Sequence, residues 1–98
     1  MKSKLIGKRI IARIDRAGVF FGTLEAKDNE ITRMTDVRRI YYWEGALSVT
    51  DMSANGITNG KISGVAKSVE FETDKVLELN ECTEKASEKI EGMNLWKA

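Results

Sequence analysis

Val37-Arg38-Arg39-Ile40-Tyr41-Tyr42-Trp43-Glu44-Gly45-Ala46 carries two adjacent arginines and, one isoleucine on, three adjacent aromatics, with a glycine near the end of the run. β-Branched and aromatic residues suit a pleated, half-buried surface, so residues 37–43 are expected to form a strand. Successive side chains on a strand point to opposite sides. Arg39, Tyr41 and Trp43 then share one side, and Arg38, Ile40 and Tyr42 share the other. One side must serve the core, and the pattern is compatible with either.

Upstream, residues 8–14 read as a first strand with Ile10, Ala12 and Ile14 on one side. Asp15-Arg16-Ala17-Gly18 is a tight turn, with Asp15 bonding the backbone two residues on and Gly18 free to take positive φ. A second strand covers 19–26, and Lys27-Asp28-Asn29 is a polar hairpin loop. A third short strand covers 30–35, and Thr35-Asp36 separates it from the arginine–aromatic strand. The first half is thus expected to be a four-stranded antiparallel meander.

Downstream, Ala46 to Asn55 predicts a short helix with Ser48 as N-cap and Gly56 past its end. The interval 55–64 holds Gly56, Gly60, Gly64, Asn55 and Asn59 and reads as loop. Strands are expected over 65–71 and 75–79, joined by Glu72-Thr73-Asp74. Thr83 then caps a helix over 83–91 that ends at Gly92 and carries the apolar stripe Ala86, Ile90, Met93. The expected fold class is α+β: a small, twisted antiparallel sheet of five or six strands, a short middle helix and a C-terminal helix. A partly closed barrel is the alternative arrangement.

The 98 residues make one domain, 1–98, with a thin margin of buried surface. Sixteen basic and fifteen acidic residues give a net charge of +1. No bulk field draws the whole molecule to nucleic acid, so any anion site must be local. There is no histidine, which removes the commonest general base and zinc ligand. The single cysteine, Cys82, excludes an internal disulfide and fits a reducing cytoplasm. The basic start is followed by an apolar run broken at Gly7, Lys8 and Arg9, so neither a signal peptide nor a membrane span is expected there.

Arg38, Arg39 and the aromatics are the strongest candidate site. Guanidinium forks clamp phosphate oxygens, and an aromatic face stacks a purine. The competing assignment puts Ile40, Tyr42 and Trp43 in the core and pairs the arginines with Asp36 and Glu44. Adjacent arginines on one strand cannot both enter one pocket on a single sheet face, which makes a subunit interface the natural site for both. Arg13 and Arg16 flank a turn whose backbone N–H groups could cradle an anion. Arg33 either extends the basic patch or is a solvated edge residue. The glycines at 56, 60 and 64 do not match a phosphate-binding loop. Cys82 lacks a basic partner for nucleophilic chemistry. Glu70, Glu72 and Asp74 read as surface charge before a metal site, and no cofactor is expected. Leu95 and Trp96 are too apolar to hang in water, so Trp96 is expected to dock on its own sheet or on a neighbouring subunit.

The segments Arg13-Ile14-Asp15-Arg16-Ala17-Gly18-Val19-Phe20-Phe21-Gly22 and Arg38-Arg39-Ile40-Tyr41-Tyr42-Trp43-Glu44-Gly45-Ala46 resemble a family of short, uncharacterised proteins of tailed phages and prophages. The likeness extends to Thr83 and is weak over 55–68. It implies a small, intracellular, phage-encoded protein, cytoplasmic in an infected bacterium. By analogy with other phage proteins, the expected function is a homo-oligomeric sponge that sequesters a phosphorylated nucleotide immune signal of cyclic dinucleotide or cyclic ADP-ribose type. Its expected ligand-binding residues are Arg13, Arg16, Arg38, Arg39, Tyr41 and Trp43. The alternative is a protein–protein module, an inhibitor of a host enzyme or a virion accessory, with Tyr41, Trp43 and Trp96 as anchors. Single-stranded nucleic acid is disfavoured by the near-neutral charge, and an enzyme is the weakest option.

Overall fold

The computed structural model describes residues 3–96. Its elements run β1 (Arg9–Ile14), β2 (Gly18–Lys27), β3 (Ile31–Glu44), α1 (Val49–Asn55), β4 (Asn59–Ile62), β5 (Ala66–Glu72), β6 (Val76–Glu81) and α2 (Glu84–Glu91). The fold is α+β, as the residue pattern predicts. All strand pairs are antiparallel, and β6, β1, β2 and β3 lie side by side in that order. The free edge of β3 is shared: β5 pairs with residues 31–37 and β4 with residues 40–44.

Two expectations are corrected here. The third and fourth strands are one strand, so the meander has three strands. The break read at Thr35-Asp36 is a bulge, in which Asp36 and Val37 together face Gly22 across the β2–β3 ladder. Asp36 takes φ 51° there, and a Cβ on Gly22 would lie 2.9 Å from the Thr35 carbonyl oxygen. The glycine is what lets the bulged backbone close in. The second correction concerns 55–64, which holds β4 instead of being wholly loop. Gly60 lies so close to β3 that a Cβ would sit 2.5 Å from the Tyr42 carbonyl oxygen.

The sheet is apolar on both sides. On one side Ile11, Phe21, Ile40 and Ile62 pack against Val49 and Met52 of α1 and Ala86 and Ile90 of α2. On the other, Ile10, Ala12, Ile14, Phe20, Leu24, Met34 and Val37 form a second core, edged by Val69 and Phe71 of β5 and Val76 and Leu79 of β6. That second core exists because the sheet curls. Phe20 pairs with Arg39 and Phe71 with Thr32, seven positions apart on β3, or roughly 23 Å along a straight strand. Yet the two rings lie 4.7 Å apart, centre to centre. The curl stops short of closure, because among the described residues no ladder joins β5 to β6.

Local signals set both helices. Ser48 Oγ accepts from Asp51 N at 3.1 Å, and the Asp51 carboxylate accepts from Leu47 N at 2.9 Å. That backbone bond, with help from Asn55, holds the Asp51 carboxyl below its ordinary range. Thr83 Oγ1 accepts from Ala86 N and donates to the Ala54 carbonyl at 2.6 Å, tying the start of α2 to the end of α1. The other end of α2 is held by Arg38. Its guanidinium donates to the carbonyls of Ile90, Glu91 and Met93 at 3.0–3.2 Å, and to that of Ser63 at 2.8 Å. A cation at a helix C-terminus satisfies orphan carbonyls and opposes the negative end of the dipole. Burial pulls the Arg38 pKa below its ordinary value, partly offset by the nearby Glu91 carboxylate.

Replacing Arg38 by Met should lower unfolding free energy by about 2–3 kcal/mol, since charge-assisted bonds are lost and helix carbonyls are stranded. Arg39→Met, on the exposed side, should change it by less than about 0.5 kcal/mol. Urea titration of the two variants compares them directly.

Candidate functional site

The β1–β2 hairpin turn, the middle of β3 and the start of β6 surround an open cleft of about 330 Å³. Its lining includes Arg13, Asp15, Arg16, Gly18, Val19, Arg39 and Leu77, and its size is within the range of small-ligand sites. The register explains the convergence. Arg13 pairs with Val19, which pairs with Ile40, so alternation sends Arg13 to the helix side and Arg39, beside Phe20, to the curled side, and the two meet only around the open end of the hairpin where Arg16 sits. The turn closes by Ala17 N donating to the Ile14 carbonyl at 3.1 Å, with Arg16 left-handed at φ 64° and Gly18 at φ 123°. The expected Asp15 side-chain bond is not among the turn's contacts; Asp15 N donates instead to the Lys75 carbonyl at 2.9 Å. Gly18 is where the cleft depends on a missing side chain. A Cβ there would lie 3.2 Å from Arg39 Nη2, on the spot where the guanidinium passes over the turn toward Phe20.

The three cleft arginines have free donors. Among the described residues, carboxylates lie within ion-pair distance only of Arg9, which meets Glu91, and Arg33, which meets Glu25 and Glu70. Arg33 is therefore a paired edge residue and adds nothing to the cleft. Arg39 rests on aromatics, with Cζ 5.6 Å from the Phe20 ring centre and 5.3 Å from that of Tyr41. Guanidinium stacked on a ring keeps its in-plane N–H groups available to an anion.

Of the six expected ligand residues, Arg13, Arg16 and Arg39 thus meet in one cleft, with Tyr41 beside Arg39. Arg38 does not join them. It is 6% exposed, on the helix side, with its donors spent on backbone carbonyls. Nor does Trp43. A second bulge, at Ile40–Tyr42 opposite Ile62–Lys61, shifts the alternation by one, and Trp43 packs against the Ile40 core. The three-residue face Arg39–Tyr41–Trp43 is thereby corrected to Arg39–Tyr41. Tyr42 is exposed and donates to Glu44 at 2.9 Å, which raises its pKa.

The turn was readable as a possible anion cradle, but Leu77 and Val19 were not, because nothing local in sequence ties β6 or the start of β2 to it. A second cavity of about 450 Å³ is lined by Arg9, Thr23, Asp36, Arg38, Val65 and Glu91. Its cations are already engaged: Arg9 lies 4.2 Å over the Phe21 ring and 2.8 Å from Glu91. Glu70 is likewise taken by Arg33, and among the described residues no group of three or more such side chains is placed to hold a metal ion. Cys82 is buried in the helix-side core, and burial pushes its thiol up to about 12.

These features define a small α+β domain with an open, arginine-lined cleft at one hairpin. A family model, the domain of unknown function DUF6948, matches residues 7–90, and the chain belongs to that family. No curated protein and no solved structure matches it. No described helix is long and apolar enough to cross a membrane.

Two outcomes follow from this geometry. Gly18→Ala should cost about 1 kcal/mol in denaturant unfolding, from backbone strain and displacement of Arg39. Arg39→Ala in the same chain should recover part of that loss, a coupling a double-mutant cycle reads. Cys82 should resist alkylation in the folded protein at pH 8, its labelling following unfolding. Because its folded pKa of about 12 exceeds the ordinary 9.0, the folded state holds the proton more tightly. That contribution to stability is present below pH 9 and is lost as pH rises toward 12. Cys82→Ala should flatten the decline relative to the native chain.

Proposed function

We propose that the chain is a small binding protein whose hairpin cleft holds the phosphate groups of a nucleotide. One observation carries this: Arg13, Arg16 and Arg39 line one open cleft and, among the described residues, none is within ion-pair distance of a carboxylate, the Asp15 that also lines it included. All three arginines are exposed, so their guanidinium donors are open to a phosphate, which arginine binds through bidentate bonds. The role we assign is that of a phage-type sponge in the cytoplasm of an infected bacterium, sequestering a cyclic dinucleotide or cyclic ADP-ribose signal. Binding without turnover suits a site offering cations and rings but no histidine. The reading includes a homo-oligomer, for which Leu47, Val65 and Leu77, each more than half exposed, offer apolar surface.

A protein partner is the second reading, favoured by the exposed Tyr41 and Tyr42. It predicts a host protein retained by the native chain and lost with Tyr41→Ala, Tyr42→Ala.

The test of the cleft is equilibrium binding of cyclic dinucleotides, cyclic ADP-ribose and inorganic pyrophosphate at low salt. Retention at micromolar protein is expected. Arg13→Ala, Arg16→Ala or Arg39→Ala should each weaken it about tenfold to a hundredfold, as loss of a charge-assisted bond does. If no phosphate compound binds, or the arginine variants bind as well as the native chain, the proposal fails.

A further inference from the structure

We infer that the ligand of the hairpin cleft carries an aromatic base and that this base seats against the Tyr41–Trp96 pair, which makes Trp96 a binding residue. The inference rests on reading the cleft as a phosphate site.

Arg39 links the two places. Its guanidinium borders the cleft on one side and lies 5.3 Å from the Tyr41 ring centre on the other. The Trp96 ring centre lies 5.4 Å beyond Tyr41, at an interplanar angle of 55°. The two rings are in direct tilted contact, and both keep exposed surface: Tyr41 is 51% exposed and Trp96 39%. A tryptophan drawn to the fold only to bury apolar area would be expected to sit as Trp43 does, against the core. Trp96 is held another way. Its backbone N donates to the Ile62 carbonyl at 2.9 Å, so the main chain is pinned to β4 while the indole lies over Tyr41.

Lys61 stands 5.2 Å over the same indole and 5.9 Å over Tyr42. The surface therefore runs from three guanidinium groups through two tilted rings to an ammonium. A chain of anion followed by flat ring is the chemistry of a nucleotide, with phosphate at the arginines and base at the rings. Stacking on aromatic faces is tolerant of base identity, so the pair would hold purines in general, and the cleft would set phosphate number.

The experiment uses the full chain carrying Trp43→Phe, which leaves Trp96 as its single indole. Adenosine diphosphate, a cyclic dinucleotide and cyclic ADP-ribose are titrated against pyrophosphate and ribose phosphate, following indole fluorescence and affinity. At least one base-bearing ligand should quench Trp96 and bind about tenfold to a hundredfold tighter than the base-free compounds. Trp96→Ala should erase that advantage, Trp96→Phe should restore most of it, and Arg39→Ala should weaken every ligand. If the core rejects Phe at 43, the difference between the native chain and Trp96→Phe carries the same signal. Base-free and base-bearing compounds binding equally, with no quench, overturns the base seat and leaves the cleft standing. Binding of none overturns both.

Discussion

A bulge in one strand sets the direction of almost every side chain that matters here. Because Asp36 and Val37 together face Gly22, the alternation of β3 slips by one residue midway. Before the slip Met34 faces the curled side; after it Val37 does, and Arg39 with it. Arg38 is thereby turned to the helices. Without the bulge the two arginines would exchange sides, leaving α2 uncapped and the cleft without its central cation. The bulge in turn requires Gly22, since any Cβ would press on the Thr35 carbonyl.

The same strand explains how a chain this short keeps two cores. Its fourteen residues are long enough to carry β5 on one half of an edge and β4 on the other, with a bend between. The half with β5 curls around Phe20, Leu24 and Met34; the half with β4 lies under the helices. Arg38 sits at the junction, tied to Ser63 just after β4 and to the end of α2. Its four carbonyl bonds make it a mechanical joint, and its side chain cannot leave to meet a ligand without releasing the helix. Arg39, one residue on, has no such obligation. Two neighbouring arginines that look alike in sequence differ wholly in what holds them.

The helices and most strands were legible because their signals are local. Ser48 and Thr83 announce N-caps, Gly56 and Gly92 announce ends, and alternation marks β1 and β2. What was not legible depends on partners far away in sequence. β4 has the glycine and asparagine content of a loop, yet the free edge of β3 recruits it, and Gly60 is there because the backbones approach too closely for a side chain. Trp43 left its expected face through a bulge that becomes visible only when Tyr42 is paired with Lys61. For the site, the residue types were readable and their meeting was not. Arg13 and Arg39 lie on opposite sides of the sheet and meet with Arg16 only around the open end of the β1–β2 hairpin, and Leu77 enters from β6, a strand with no sequence link to the turn.

That convergence also changes the argument for a subunit interface. Adjacent arginines on one strand cannot reach one pocket within a chain, so engaging both would have required a second copy. With Arg38 committed to α2, the premise is gone: Arg39 of β3 reaches the end of the β1–β2 hairpin that carries Arg13 and Arg16, and a single chain completes the cleft. Self-association must then stand on apolar surface instead. Leu77 is the informative residue, because it lines the cleft and lies on β6, whose outer edge is unpaired among the described residues. A copy docking along that edge would narrow an existing cleft, exclude water from its arginines and so strengthen the phosphate binding we propose for them. Oligomerisation would in that case tune affinity and would not create the site.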